Sequence, residues 1–441
     1  MTGAGTALNP YIIWDLNDLQ AMANGAPYAP NAFYELGADI DALATTTWNW
    51  NAGRGVFEGF IPRSFTGNFN GRYHIISGLY MDRYQGAGNI AVGLFSDGTG
   101  ATIQNLFLFD VDITSYSQGV DVANNTGALV GYCGANTIAR VITTGTVVAT
   151  NNDTNFIGPA HGNCNAGGML GQIYGNAAVD QCASYVNVTG IALGDARAYT
   201  GGFVGNIIAF ACWIRNCYSR GQALGGISGG FYGIASAGNI DNCYSTGVAG
   251  TGGFGGGGGP GTLTDSFWDI ETSGLLVSAG GTGRTTAVMK TQANYTAAGW
   301  DFAVIWRIDL TGYWNDGYPY FSWNGRPTIQ VLSPNGGEVW QVGSDHNILW
   351  THTKDPGANV RIELLLAGAL DEILIASTPI GPVGGGTYLW SIPAGKAPST
   401  FYRIRITSTT APVSDDSDND FTIRVPSLSL KVATLPATEI R

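Results

Sequence analysis

The feature that most restricts how this chain can fold is a phrase it repeats. A glycine box recurs as "TGALVG" (126–131), "GGMLG" (167–171), "GGFVG" (201–205), "GGFYG" (229–233) and "GGFGG" (252–256). After each box comes a second short phrase: "TIARVITTG" from Thr137, "AVDQCASYV" from Ala178, "WIRNCYSRG" from Trp213, "NIDNCYSTG" from Asn239 and "TLTDSFWD" from Thr262. A degenerate earlier copy, "VGLFSDGTGATIQNLFLFDVDIT", starts at Val92. The boxes end at Gly131, Gly171, Gly205, Gly233 and Gly256, so the spacing falls from 40 to 34, 28 and 23 residues. A unit of that length with two short β-like segments cannot bury its own apolar face, but a stack of such units can.

Within the second phrase an apolar residue and the one three places on recur. The pairs are Ile103 and Leu106, Ile138 and Val141, Val179 and Cys182, Ile214 and Cys217, Ile240 and Cys243. In stacked coils, equivalent positions lie about 4.8 Å apart, so these pairs predict continuous internal ladders. Cys182, Cys217 and Cys243 form one of them, cysteine being small and readily buried. Gly131, Gly171, Gly205 and Gly233 are expected at sharp corners, supplying positive φ and close backbone approach. Length variation falls in outward loops at 146–166 and 190–200. The fold class read from this pattern is all-β: a right-handed parallel β-helix solenoid with a C-terminal Ig-like β-sandwich.

Composition agrees. The 441 residues include 66 glycines, 12 Trp, 20 Tyr and 18 Phe, and 44% are hydrophobic, which suits a large core and excludes disorder. Net charge is −12, and no Lys/Arg cluster exists to hold phosphates, so nucleic acid is not an expected partner. No apolar run reaches the length of a membrane span. Cys133, Cys164, Cys182, Cys212, Cys217 and Cys243 match no zinc spacing and read as buried free thiols.

The phrases "GGFVG…IRNCYSRG" and "GGFYG…IDNCYSTG" resemble the GLUG motif of bacterial and phage-encoded surface proteins. "GTALNPYIIWDLNDLQAM", "GNFNGRYHIISGLYM" and "YWNDGYPYFSW" look like the flanks of such solenoids, so the resemblance covers residues 5–323. It implies an architecture and is nearly silent on activity. The expected organisation is a cap and first coils at 1–90, the repeats at 91–284, and a Trp-rich cap and linker at 285–326. A helix in "NDLQAMAN", with Asn17 as N-cap and Leu19 and Met22 at helical spacing, is expected to cover the first coil. Trp300, Trp306, Trp314 and Trp323 are expected to seal the last.

From Pro327 the glycine boxes stop and period-two alternation begins, as in "HNILWTH" and "YRIRITST". "SPNGGEVWQVGSDHNILWT", "GTYLWSIP" and "DDSDNDFTI" resemble the Ser/Thr-rich, KNH-like module, which implies an Ig-like spacer or attachment domain over 327–425. Residues 426–441 read as an extended arm.

Candidate chemistry is sparse. Asp39 with Asp41, Asp110 with Asp112, and Asp269 with Glu271 are acid pairs two apart, a spacing that puts carboxyls on one strand face as glycoside hydrolysis requires. Asp415, Asp416, Asp418 and Asp420 are a candidate calcium site, with a solvated hairpin loop as the plainer reading. Trp48 and Trp50, two apart, offer a sugar-stacking face or a cover for the cap. His74 is isolated, and His346 and His352 share a strand face without metal spacing. No catalytic residue and no cofactor is assigned. The expected function is a non-enzymatic structural or display protein of an exterior surface. Because Met1 is followed by no leader, a virion fibre or decoration protein is expected, with a secreted adhesin or filament subunit and a polysaccharide-degrading enzyme as alternatives. Expected partners are other structural proteins of that surface, reached through the Ig-like domain and tail, glycans, and a second copy of the chain.

Overall fold

The structure is a computed structural model that describes residues 1–154, 162–310, 312, 314–324, 328–353, 356–381, 385–409 and 413–426. Pro327 and, apart from Pro426, the expected C-terminal arm lie outside the described residues. The fold is mostly β, with 52% of residues in strands and 6% in helices, and its larger sheets are parallel. The chain divides into two compact units, Met1–Leu310 with Gly317–Trp323, and Thr311–Asp316 with Asn324–Arg441.

In the first unit the chain returns repeatedly to the same three sheets, and the repeat spacing is the register of the pairing. Among the described residues, one sheet stacks Ile90–Val92, Asn124–Gly127, Asn163–Gly167, Arg197–Gly201 and Ile227–Gly229 in parallel. A second stacks Phe95–Asp97, Val130–Cys133, Leu170–Ile173, Val204–Ile207, Tyr232–Ala235 and Gly255–Gly258. The third and largest runs from Tyr11–Ile13 through the long strands Thr102–Gly119 and Thr137–Asp153 to Thr282–Arg284. Side chains pointing inward form one core. The third residue of each glycine box builds a column in it, where Phe203, Phe231 and Phe254 stack with centroids 4.8 Å apart and rings within 3° of parallel.

A second hydrophobic layer lies on the opposite side of the large sheet. Ile75, Phe107, Ile142, Ala183, Tyr218, Tyr244 and Phe267 stand in successive register. The Trp-rich segment covers this stripe: Met289, Tyr295, Trp300, Trp306, Tyr318 and Phe321 share its cluster, and Trp323 reaches Phe107 and Tyr73 at 6.2 and 5.9 Å. The segment therefore straps the flank of the stack rather than sealing only its last coil. An aromatic stripe on a parallel sheet must be covered on both faces, and a cap at one end leaves most of it wet.

At the N-terminus the helix is Leu16–Ala21, and its N-cap is Asp15, not Asn17. The Asp15 side chain accepts from the Asp18 amide at 2.8 Å, which leaves Asn17 inside the first turn. Leu19 and Met22 are buried as their spacing predicts, Met22 as the residue that caps the helix C-terminus.

The second unit has two sheets around a shared core. Thr328–Ser333, Asp345–Thr353 and Gly386–Ser391 pair antiparallel. Opposite them, Asn359–Leu366, Ala369–Pro379 and Ser399–Ser408 do the same, and Val339–Gln341 adds a parallel edge to Phe421–Arg424. Alternate residues such as Val331, Ile348, Trp350, Ile362, Leu364, Ile404 and Ile406 fill the space between.

Candidate functional site

The residues singled out for the ladders meet inside the stack. Ile103, Ile138, Val179, Ile214, Ile240 and Leu263 pair in unbroken register. Three residues on, Leu106 pairs with Val141, and the Cys182 amide donates to Cys217 Sγ at 3.4 Å. The six cysteines are free and buried. Burial pushes the Cys182 and Cys217 thiols well up and the Cys164 thiol up to about 12, so they stay protonated and unreactive.

The reason for cysteine is a hydrogen bond. Just before this column the chain turns through a left-handed residue: Asn105, Arg140, Gln181, Asn216, Asn242 and Asp265 have φ between 43° and 55°. The carbonyl just ahead of the turn accepts from the corner amide of the preceding coil at Arg215, Asp241 and Thr264, and the side chain after the turn reaches back to it as a second donor. Cys182 donates to Asp180 O at 3.3 Å, Cys217 to Arg215 O at 3.1 Å and Cys243 to Asp241 O at 3.2 Å. One coil later Ser266 makes the same bond to Thr264 O at 2.8 Å. From Cys182 to Ser266 the column thus carries a small side chain that donates, whereas the two earlier coils fill it with Leu106 and Val141.

Of the two roles expected of Gly131, Gly171, Gly205 and Gly233, close backbone approach is seen and positive φ is not. None has positive φ; they lie in strands, and the left-handed corners belong to the residues just named. Their lack of Cβ is needed because two sheets converge there. A Cβ on Gly205 would stand 2.6 Å from Gly171 O and 2.7 Å from Ala166 N. At Gly131, Gly171 and Gly233 the nearest backbone atom would be 2.5 Å away.

Two of the three acid pairs, Asp39 with Asp41 and Asp269 with Glu271, are committed to the fold. Asp269 is buried; its Oδ1 accepts from the Glu271 and Thr272 amides and Thr286 Oγ1, and its Oδ2 from the Tyr318 hydroxyl at 2.7 Å. Glu271 accepts from the Thr286 amide at 2.8 Å. Asp110 has φ 52° at a register irregularity, so it and Asp112 do not share a regular strand face as their spacing predicts. Asp41 Oδ1 caps Leu43, and Asp39 Oδ1 lies 2.8 Å from His74 Nδ1.

The aspartates proposed for calcium diverge. Asp415 accepts from the Val331 amide, Asp416 is bidentate to Arg405, Asp418 accepts from Asn335 and Asp420 from Arg403. Each carboxylate tethers a different backbone or side-chain group, so they do not converge on a common point. Among the described residues no group of three or more His, Cys, Asp or Glu side chains is placed to hold a metal. His346 and His352 do share the inward strand face, where His346 stacks on Trp340 at 4.3 Å.

Several concavities lie on the first unit, among them two lined by a half-exposed tryptophan. One, of about 370 Å³, lies between Trp14, Asp15, Asp39, Ile40, Asp41 and Trp48. The other, of about 220 Å³, lies beneath Trp213 beside Asp180 and Arg215. Trp48 and Trp50 part company, because Asn49 turns left-handed between them (φ 56°): Trp48 packs on the core while Trp50 is exposed and pairs with Phe57. Nothing in the sequence singles out Trp14, a lone Trp between Ile13 and Asp15 that belongs to no repeat.

No protein-family profile matches the chain. It is 35% identical over 329 residues to halomucin of Haloquadratum walsbyi, a match covering 69% of this chain and 3% of halomucin. It is 31% identical over 140 residues to a putative Gly-rich membrane protein of Evansella cellulosilytica, covering 29% of this chain and 16% of that protein. The chain therefore spans a small fraction of the length of either relative.

Proposed function

We propose that the chain is a non-enzymatic scaffold of a cell exterior. In this reading a right-handed parallel β-helix of the GLUG-like kind forms a rigid body, and an Ig-like sandwich resembling the KNH-like module attaches it or spaces it. Its partners are other structural proteins of the same surface, including further copies of itself. The observation that carries the reading is the unbroken in-register column from Ile103 to Leu263, backed by donor side chains at the corners. Such a stack is stiff along its axis because each coil hydrogen-bonds to the next. The use of Asp41, Asp269 and Glu271 as caps and tethers supports a structural role for the acid pairs.

The names of the two relatives, a halomucin and a membrane protein, favour an outer surface. Both come from cellular organisms, which favours the cell exterior over the virion expected from the sequence. Immunogold labelling of intact producing cells tests this. Label on the outer surface is expected; label confined to the interior overturns the reading, and label on particles restores the virion. Reducing ends released from capsule or cell-wall glycans, and lost in Asp110→Ala, would overturn the non-enzymatic part.

A further inference from the structure

We propose that the groove beside Trp14 binds a neutral saccharide. Trp14 leaves 51% of its surface exposed, yet it is held in place. Its indole lies against the Gly37 backbone, where a Cβ would stand 2.6 Å from Cε3, and its Nε1 donates to Thr2 Oγ1 at 3.3 Å. A flat apolar ring fixed from behind and open in front loses little conformational entropy when a ligand stacks on it. Trp48 lines the same groove, Ile40 is buried at its floor, and the volume of about 370 Å³ falls in the range of small-ligand sites.

The polar groups suit hydroxyls. Asp15, Asp39 and Asp41 each spend Oδ1 on the fold: Asp15 on the Asp18 amide, Asp41 on the Leu43 amide, and Asp39 on His74 and the Ile75 amide. Each Oδ2 is left without a protein donor among the described residues. The remaining oxygens form a row of charge-assisted acceptors for O–H donors, set beside an aromatic face that takes the C–H face of a pyranose. The Oδ1 bonds to backbone amides offset part of each carboxylate's charge, which favours a polyol over a cation. No Lys or Arg lines the groove, so sialic or uronic acids are repelled. The inference does not depend on the scaffold reading, and either can fail alone.

The test titrates the full chain with cellohexaose, maltohexaose and mannohexaose by calorimetry and Trp fluorescence, with sialyllactose and choline chloride as controls. At least one neutral hexasaccharide is expected to bind, and Trp14→Ala to weaken it about tenfold without moving the thermal midpoint. Asp15→Asn keeps the helix cap, since Asn caps as well as Asp, but loses the charged acceptor and should also weaken binding. The proposal is overturned if none of the three binds more tightly than about 10 mM, or if Trp14→Ala leaves binding unchanged. It is equally overturned if choline, and not a sugar, occupies the groove.

Discussion

Two kinds of residue make the stack possible, and they divide the work that sequence reasoning assigned to glycine alone. The box glycines let sheets approach, so Gly205→Ala should cost about 1–3 kcal/mol or more by forcing backbone apart, measured by urea unfolding. The left-handed corner falls on Asn, Arg, Gln or Asp. Asn tolerates that conformation best among non-glycine residues, so Arg140→Asn should stabilise the protein by up to about 1 kcal/mol. At the next residue the later coils place a donor, Cys182, Cys217, Cys243 or Ser266, where the two earlier ones bury Leu106 and Val141. Cys217→Ser should fold normally because Ser266 already fills the equivalent place, whereas Cys217→Ala removes the sulfur that accepts from the buried Cys182 amide and should cost about 1–3 kcal/mol. The column of corner residues (Asn105, Arg140, Gln181, Asn216, Asn242, Asp265) was readable in the repeat alignment. Its φ was not, because Arg and Gln carry no left-handed preference.

The element that sequence reasoning placed least well is the Trp-rich segment. Its aromatic content announced a hydrophobic cover, but the surface it covers is a column assembled from seven coils. Phe107, Tyr218, Tyr244 and Phe267 are far apart in sequence and become one stripe only through register. Trp306 is fully buried at its centre, with Trp300 and Phe321 at 4.6 and 4.8 Å. Trp306→Ala should cost about 3–5 kcal/mol and expose the strip to a hydrophobic dye before the stack itself melts. The acid pairs teach the same lesson in reverse: spacing of two implies a shared face only where the strand is regular, and Asp110 sits at a break.

At the scale of the molecule, each unit has its own core, so calorimetry should resolve two components, with Ile404→Ala lowering only that of the second unit. Alkali should act chiefly on the first unit. Burial raises Cys164 from 9.0, and Tyr34 and Tyr232 from 10.0, each to about 12. Above the unfolded values the unfolded chain releases protons that the folded chain retains, so stability present below about pH 9 drains away toward pH 12. Urea midpoints measured across that window check it, and a flat profile would contradict the burial of these groups.

The sequence by itself determined that short β segments return in register and which residues line their interior. Those facts follow from periodicity and volume, which are local and repeat. Only the tertiary structure decided which residues turn the corner, what lies beneath the tryptophans, and that Trp14 and Trp48 face one groove while Trp50 does not. Those depend on register between coils and on single backbone angles such as that of Asn49, and a one-residue change in either sends a side chain to the opposite face.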